Sequence, residues 1–222
     1  MAANGVASGA MRRMDRIYRR QRHIYDLSRR YFLFGRDALI AGLDPPAGAD
    51  ICEVGCGTAR NLIRIARRRP WVNLYGLDAS SEMLKTASAA VARAGLDGRI
   101  ALKRGLAERL DPGAMFGREA GFDAVILSYV LSMVPDWRRV LEAALGAARP
   151  GCTLEIVDFG DIDRLPPPLN RALRAWLARF EVEPRKGLVE CLEEFARQGR
   201  GSVAARRVLG PYAVLARFTK AG

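Results

Sequence analysis

The chain has 222 residues, 50% of them hydrophobic, enough to bury one substantial core and to fit a single α/β enzyme domain. Its 36 basic residues outnumber 24 acidic ones for a formal net charge of +12, which favours anionic partners, whether a lipid surface or nucleic acid. No segment approaches the roughly 20 apolar residues that cross a bilayer, because the best run, Ala124 to Val134, is short and interrupted by Ser128 and Ser132.

Residues 1–10 are small and mildly polar, without the apolar block of a secretory signal, and read as a loose tail, so export is not expected. Residues 11–48 read as an N-terminal helical arm or lid. Within residues 12–36, Arg12, Arg13, Arg16, Arg19, Arg20, Arg22, Arg29, Arg30 and Arg36 face only Asp15 and Asp26, while Met14, Ile17, Tyr18, Ile24, Tyr25, Leu27, Tyr31 and Phe32 recur at helical intervals. Such a basic amphipathic segment suits an anionic membrane interface and equally suits a lid packed on the domain. Residues 49–222 then form the main domain.

Asp50 to Val54 reads as a strand that runs into Gly55-Cys56-Gly57-Thr58, where two glycines let the backbone turn closely around a small molecule. Asn61 to Arg68 has helical spacing and would present free N–H groups at its start. Arg60 stands where a dinucleotide fingerprint needs its third glycine, and no Gly-Lys-Ser/Thr follows, so both the dinucleotide loop and the P-loop are excluded. Asn73 to Asp78 reads as a second strand whose final carboxylate lies where a βαβ unit meets a ribose. Further strands are expected at Ile100 to Arg104, Phe122 to Leu127 and Thr153 to Phe159, and a helix at Leu169 to Phe180 after the prolines 166–168. Ser202 to Leu209 and Tyr212 to Thr219 form a terminal hairpin around Gly210-Pro211. The pattern predicts a doubly wound, mainly parallel α/β sheet with its crevice at the strands' C-terminal ends. Cys52, Cys56, Cys152 and Cys191 are scattered, and no second close pair completes a zinc site, so reduced thiols, no metal and a cytoplasmic setting at the inner face of the membrane are expected.

Glu53, the glycine pair and Asp78 resemble the class I S-adenosylmethionine-dependent methyltransferases over roughly residues 49–160. The resemblance implies a Rossmann-like, seven-stranded fold and S-adenosyl-L-methionine as cofactor. It places the methionine part against Glu53, Gly55, Cys56, Gly57 and Thr58, and the ribose at Asp78 with Ala79 and Met83 beside it. Leu106 and Ala107 would flank the adenine, with Leu106 at a place often acidic in relatives, and Ser128, Tyr31 and Arg36 would complete the cofactor contacts. Ala59 stands where relatives commonly have glycine. That departure matters only if the position requires positive φ, which a residue opening a helix need not have.

A narrower resemblance rests on the arm His23 to Asp37, on Ser128 to Trp137 and on Val157-Asp158-Phe159-Gly160. These are similar to bacterial betaine-lipid N-methyltransferases and imply three methyl transfers to the amine of diacylglycerylhomoserine. The lipid amine and an anionic membrane surface would then be the partners. His23, the single histidine, is the candidate base for deprotonating the amine. Tyr25 and Tyr31 have faces suited to an ammonium group, and Arg30 or Arg36 suits a carboxylate. Tyr129, following the fourth strand, is expected to touch substrate. Phosphatidylethanolamine or a quinone ring is the alternative acceptor, and a nucleic-acid module on the same scaffold is the non-enzymatic alternative, disfavoured by the intact cofactor motif.

Overall fold

The computed structural model describes residues 33–222, so the expectations placed on His23, Tyr25, Arg30 and Tyr31 lie outside the described residues. A short helix, α1 (Arg36–Gly42), leads into β1 (Asp50–Val54), α2 (Arg60–Arg68), β2 (Asn73–Asp78), α3 (Ser81–Arg93) and β3 (Ile100–Arg104). There follow α4 (Pro112–Phe116), β4 (Phe122–Ser128), α5 (Trp137–Ala147), β5 (Ala148–Phe159), α6 (Pro167–Ala178), α7 (Leu188–Arg197), β6 (Gly201–Val208) and β7 (Ala213–Lys220).

The seven strands run in the order β3-β2-β1-β4-β5-β7-β6. The pairs among β1 to β5 are parallel, whereas β7 lies antiparallel between β5 and β6, as the expected hairpin requires. Helices cover both faces. One core joins α5 and α7 to the sheet through Val140, Leu141, Leu192 and Phe195, and the other joins α1, α2, α3 and α6 through Ile40, Leu62, Val91 and Leu177. Burial on both sides explains why β1 is buried along its whole length, its carboxylates Asp50 and Glu53 included.

Most boundaries lie within one residue of the sequence reading, and two elements, β5 and α6, differ by more. β5 begins at Ala148 rather than Thr153, because Ala148 already pairs with Phe122 before a register shift at Phe122/Ala124. α6 begins at Pro167 rather than Leu169, since a proline in the first turn of a helix leaves no N–H without a partner. At the N-terminal edge of the sheet, buried Asp50 is held by Arg118 and by Arg149 at 2.9 Å, and Arg149 also reaches Asp123 at 2.7 Å. Pairing is what makes a buried carboxylate tolerable there. No helix among the described residues is long and apolar enough to cross a membrane.

Candidate functional site

The strand order reverses between β1 and β4, and the loop after β1 occupies that switch point, where open α/β sheets take their ligands. The loop folds over the end of β2: the N–H groups of Gly55 and Cys56 both donate to the Leu77 carbonyl, at 2.7 and 3.0 Å. Gly55 has φ 69° and Gly57 φ 54°. A Cβ on Gly55 would lie 2.7 Å from Val130 Cγ2, so glycine is required there by conformation and by space.

Ala59 completes the turn at φ 60°, ψ 19°, in the left-handed region, and forms the N-cap of α2 without a side-chain cap. The position therefore does require positive φ, contrary to the expectation for a helix-opening residue. The chain accepts an alanine there because the methyl group is wholly buried in the core.

Asp78 ties this loop to β2. Its Oδ2 accepts from the Gly57 N–H at 2.8 Å and its Oδ1 from the Ser80 N–H at 2.9 Å. A carboxylate has about four lone-pair sites, so such a group can accept ribose hydroxyls besides main-chain N–H donors. Ser80 in turn caps α3, its Oγ accepting from the Met83 N–H at 3.3 Å. Glu53, at the end of β1, accepts from Asn61 Nδ2 at 2.7 Å, and the same amide approaches Ser128 Oγ at 3.3 Å. Asn61 thus joins the ends of β1 and β4 across the base of the crevice. The sequence reading took Asn61 only as part of a helical pattern; its signal was a polar residue one turn before inward-facing Ile65.

The family model described as a methyltransferase domain matches residues 52–154, the stretch from the glycine loop to β5. Over this central segment the chain is similar to the methyltransferases. An uncharacterized methyltransferase of Mycobacterium tuberculosis is 32% identical over 145 residues, covering 64% of this chain and 66% of that protein. A phosphatidylethanolamine N-methyltransferase of Cereibacter sphaeroides is 34% identical over 134 residues, covering 60% of this chain and 61% of that one. The matches thus span about two thirds or less of these curated relatives. Among solved structures, an O-methyltransferase family protein from Burkholderia thailandensis superimposes with a TM-score of 0.67 at 19% identity, covering 85% of this chain and 57% of that one, which establishes a shared fold.

The other residues expected at the cofactor lie between the surface and the core. Cys56 points into the core, where its sulfur would lie 2.9 Å from a Cβ on Gly76, and burial pushes its thiol well up, so it offers the crevice main chain only. Ala79 and Thr58 are half-buried at the ends of β2 and of the glycine loop, and Leu106 is half-buried after β3, with Ala107 in the core behind it. Met83 packs under an apolar roof of Phe180, Trp176, Met133 and Val182. Buried Arg36 donates through Nε to the Leu33 carbonyl at 3.2 Å.

Tyr129 is the clearest correction. It was expected at the substrate, but it is 2% exposed, stacks edge-on against Phe159 with ring centroids 4.9 Å apart, and donates its hydroxyl to the Phe34 carbonyl at 2.7 Å. Burial raises its phenol well above the usual range, so it is no proton acceptor. The cause is its backbone: φ 58° at the end of β4 turns the side chain back into the core.

The loop after β4 is held from two sides. Asp158, at the end of β5, accepts from the Ser132 N–H at 3.2 Å and the Phe159 N–H at 2.8 Å, and burial pushes its carboxyl up to about 6. From the other side, Glu183 N–H donates to the Ser132 carbonyl at 2.9 Å, and Arg185 donates to the carbonyls of Leu131 and Val134 at 3.1 and 3.0 Å. The sequence reading quoted Asp158 within a motif without assigning it work.

Proposed function

We propose that this methyltransferase transfers methyl groups to the amine of a membrane lipid, with diacylglycerylhomoserine as acceptor and three successive transfers giving the trimethylated betaine lipid. The methyl-donor half of the reading rests on one observation, the glycine loop closed onto Asp78 by the Gly57 N–H. When bound, S-adenosylmethionine supplies a sulfonium methyl group open to in-line attack. Gly55, Gly57 and Glu53 would hold its amino-acid end and Asp78 its ribose, with the apolar cluster around Met83 beside them as the candidate shield from water.

The lipid-amine half is supported by the resemblance of the arm and by the relative named as a phosphatidylethanolamine N-methyltransferase. In each round the amine nitrogen forms the new N–C bond, the S–CH₃ bond breaks to leave a thioether, and the displaced ammonium proton passes to a base or to solvent. His23 is the proposed base for that proton, and Tyr25 and Tyr31 offer faces to the growing ammonium. The same basic arm is proposed to meet the inner, anionic membrane face.

Incubation with S-adenosylmethionine and diacylglycerylhomoserine, followed by mass analysis, is expected to give mono-, di- and trimethylated products in succession. Methylation of phosphatidylethanolamine alone would reassign the acceptor, and methylation of no lipid amine would overturn the reading.

A further inference from the structure

Four large apolar side chains stand well out of the protein among the described residues: Phe34 at 41%, Trp71 at 49%, Leu169 at 53% and Leu209 at 59% exposure. Trp71 precedes β2, at the N-terminal edge of the sheet. The other three gather at the opposite edge, where β1 to β5 end and the crevice opens. Phe34 lies there because its carbonyl receives the Tyr129 hydroxyl and its ring meets Tyr212 at 5.3 Å. Leu209 follows β6, whose last residue, Val208, shares a row with Ala213 and Phe159 at the end of β5. Leu169 closes the exposed run 166–169 at the start of α6, and Asn170 beside it donates to the Ile162 carbonyl just past β5.

Leu209 is placed against two ordinary preferences at once. It is the most exposed of the four, and at the tip of the β6–β7 hairpin it has φ 53° with Gly210 at 63°. Hairpin tips with paired positive φ normally carry Asn or Gly. A branched apolar residue there costs conformational energy and leaves its side chain in water, a combination that points to a contact made outside the chain. Exposed arginines accompany the apolar points: Arg206 and Arg207 stand just before Leu209 and Arg171 follows the run 166–169, while Arg164 before that run is paired with Asp161 at 2.9 Å. The segment 166–180 carries three arginines and no acidic residue, and Arg174 among them is paired with Asp163.

We propose that this edge of the sheet is a docking face for an anionic lipid bilayer, with Leu209 and Leu169 entering the interface and Arg171, Arg206 and Arg207 meeting head-group phosphates. Such a surface turns the crevice toward the bilayer, so that an acceptor head group reaches it without leaving the membrane. The arrangement is that of interfacial elements generally, apolar points within a ring of cations. It stands apart from the identity of the acceptor, because binding to vesicles needs neither cofactor nor reaction.

The test is co-sedimentation of the full chain with vesicles of phosphatidylcholine alone and of phosphatidylcholine with phosphatidylglycerol. The full chain should bind the anionic vesicles and bind neutral ones more weakly. Leu209→Asn is the decisive variant, since asparagine suits positive φ and the variant should melt no lower than the parent while its vesicle binding falls about tenfold. Leu169→Asn should fall by a similar factor, Arg206→Glu should weaken binding to anionic vesicles only, and Trp71→Asn should bind as the parent does. Parental binding by both leucine variants would show that the basic arm alone carries any attachment and would overturn the proposal, as would equal loss in Trp71→Asn or no binding by the parent chain.

Discussion

The N–H of Gly57 donates to Asp78 Oδ2 at 2.8 Å, so the cofactor loop after β1 and the carboxylate after β2 form one hydrogen-bonded unit. Because Asp78 Oδ1 also receives the Ser80 N–H, both oxygens are committed as acceptors. Asp78→Asn replaces one of them with an NH₂ group that meets a donor. One charge-assisted hydrogen bond is worth about 1.5–3 kcal/mol, so affinity for S-adenosylmethionine, read by calorimetry, should fall at least tenfold. Unchanged affinity would mean that the loop holds its shape without Asp78.

Ala59 invites the opposite substitution. Ala59→Gly removes roughly 1–2 kcal/mol of left-handed strain, but it deletes a buried methyl worth about 0.8 kcal/mol and loosens the unfolded chain by about 0.4–1 kcal/mol. These effects nearly cancel, and the melting temperature should move by no more than about 3 °C. Ala59→Val, with a β-branched side chain at φ 60° in a filled core, should destabilise by more than 2 kcal/mol on the order of combined strain and overpacking. A large gain in stability on Ala59→Gly would show that the buried methyl contributes little.

Much of this was legible in the letters. Strands β1, β2 and β3 begin and end where the sequence places them, and the glycine loop and Asp78 follow β1 and β2 as read. What escaped detection depended on backbone sign. Nothing in the sequence says that Ala59 and Tyr129 take positive φ, since both residue types ordinarily avoid it, and that sign decides whether Tyr129 faces the crevice or the core. Asn61 escaped for another reason: its partners, Glu53 and Ser128, are 8 and 67 positions away, a contact only the fold creates.

Tyr129→Phe tests the corrected placement. The hydroxyl donates to the Phe34 carbonyl and touches no part of the glycine loop's hydrogen-bond network, so its loss should cost about 1 kcal/mol of stability, or roughly 2–4 °C in melting temperature. Turnover should stay within about twofold at a temperature where both proteins are folded, since the cost lies in stability alone. A tenfold loss of kcat without a change in melting temperature would put the phenol back at the substrate.

Asp158 should leave a signature in the pH dependence of stability. Burial raises its folded carboxyl from 3.8 to about 6, with the hydrogen bonds from Ser132 and Phe159 pulling the other way. Between those values the folded chain binds more protons at this site than the unfolded chain. The contribution is therefore fully present below about pH 4 and is lost as pH rises through about 6. Two units correspond to roughly 3 kcal/mol. Other carboxylates act in the opposite sense, Asp163 among them, held down by Lys186 and Arg174 and stabilising only above its folded value. The measurement is accordingly a difference: denaturation of the parent and of Asp158→Asn at pH 4 and pH 7. Asparagine stays neutral, so the parent should lose stability relative to the variant as pH rises across that window. A parent-minus-variant difference that stays flat from pH 4 to 7 would show that Asp158 ionises in the folded chain as freely as in water, and that its grip on the Ser132 loop does not depend on burial.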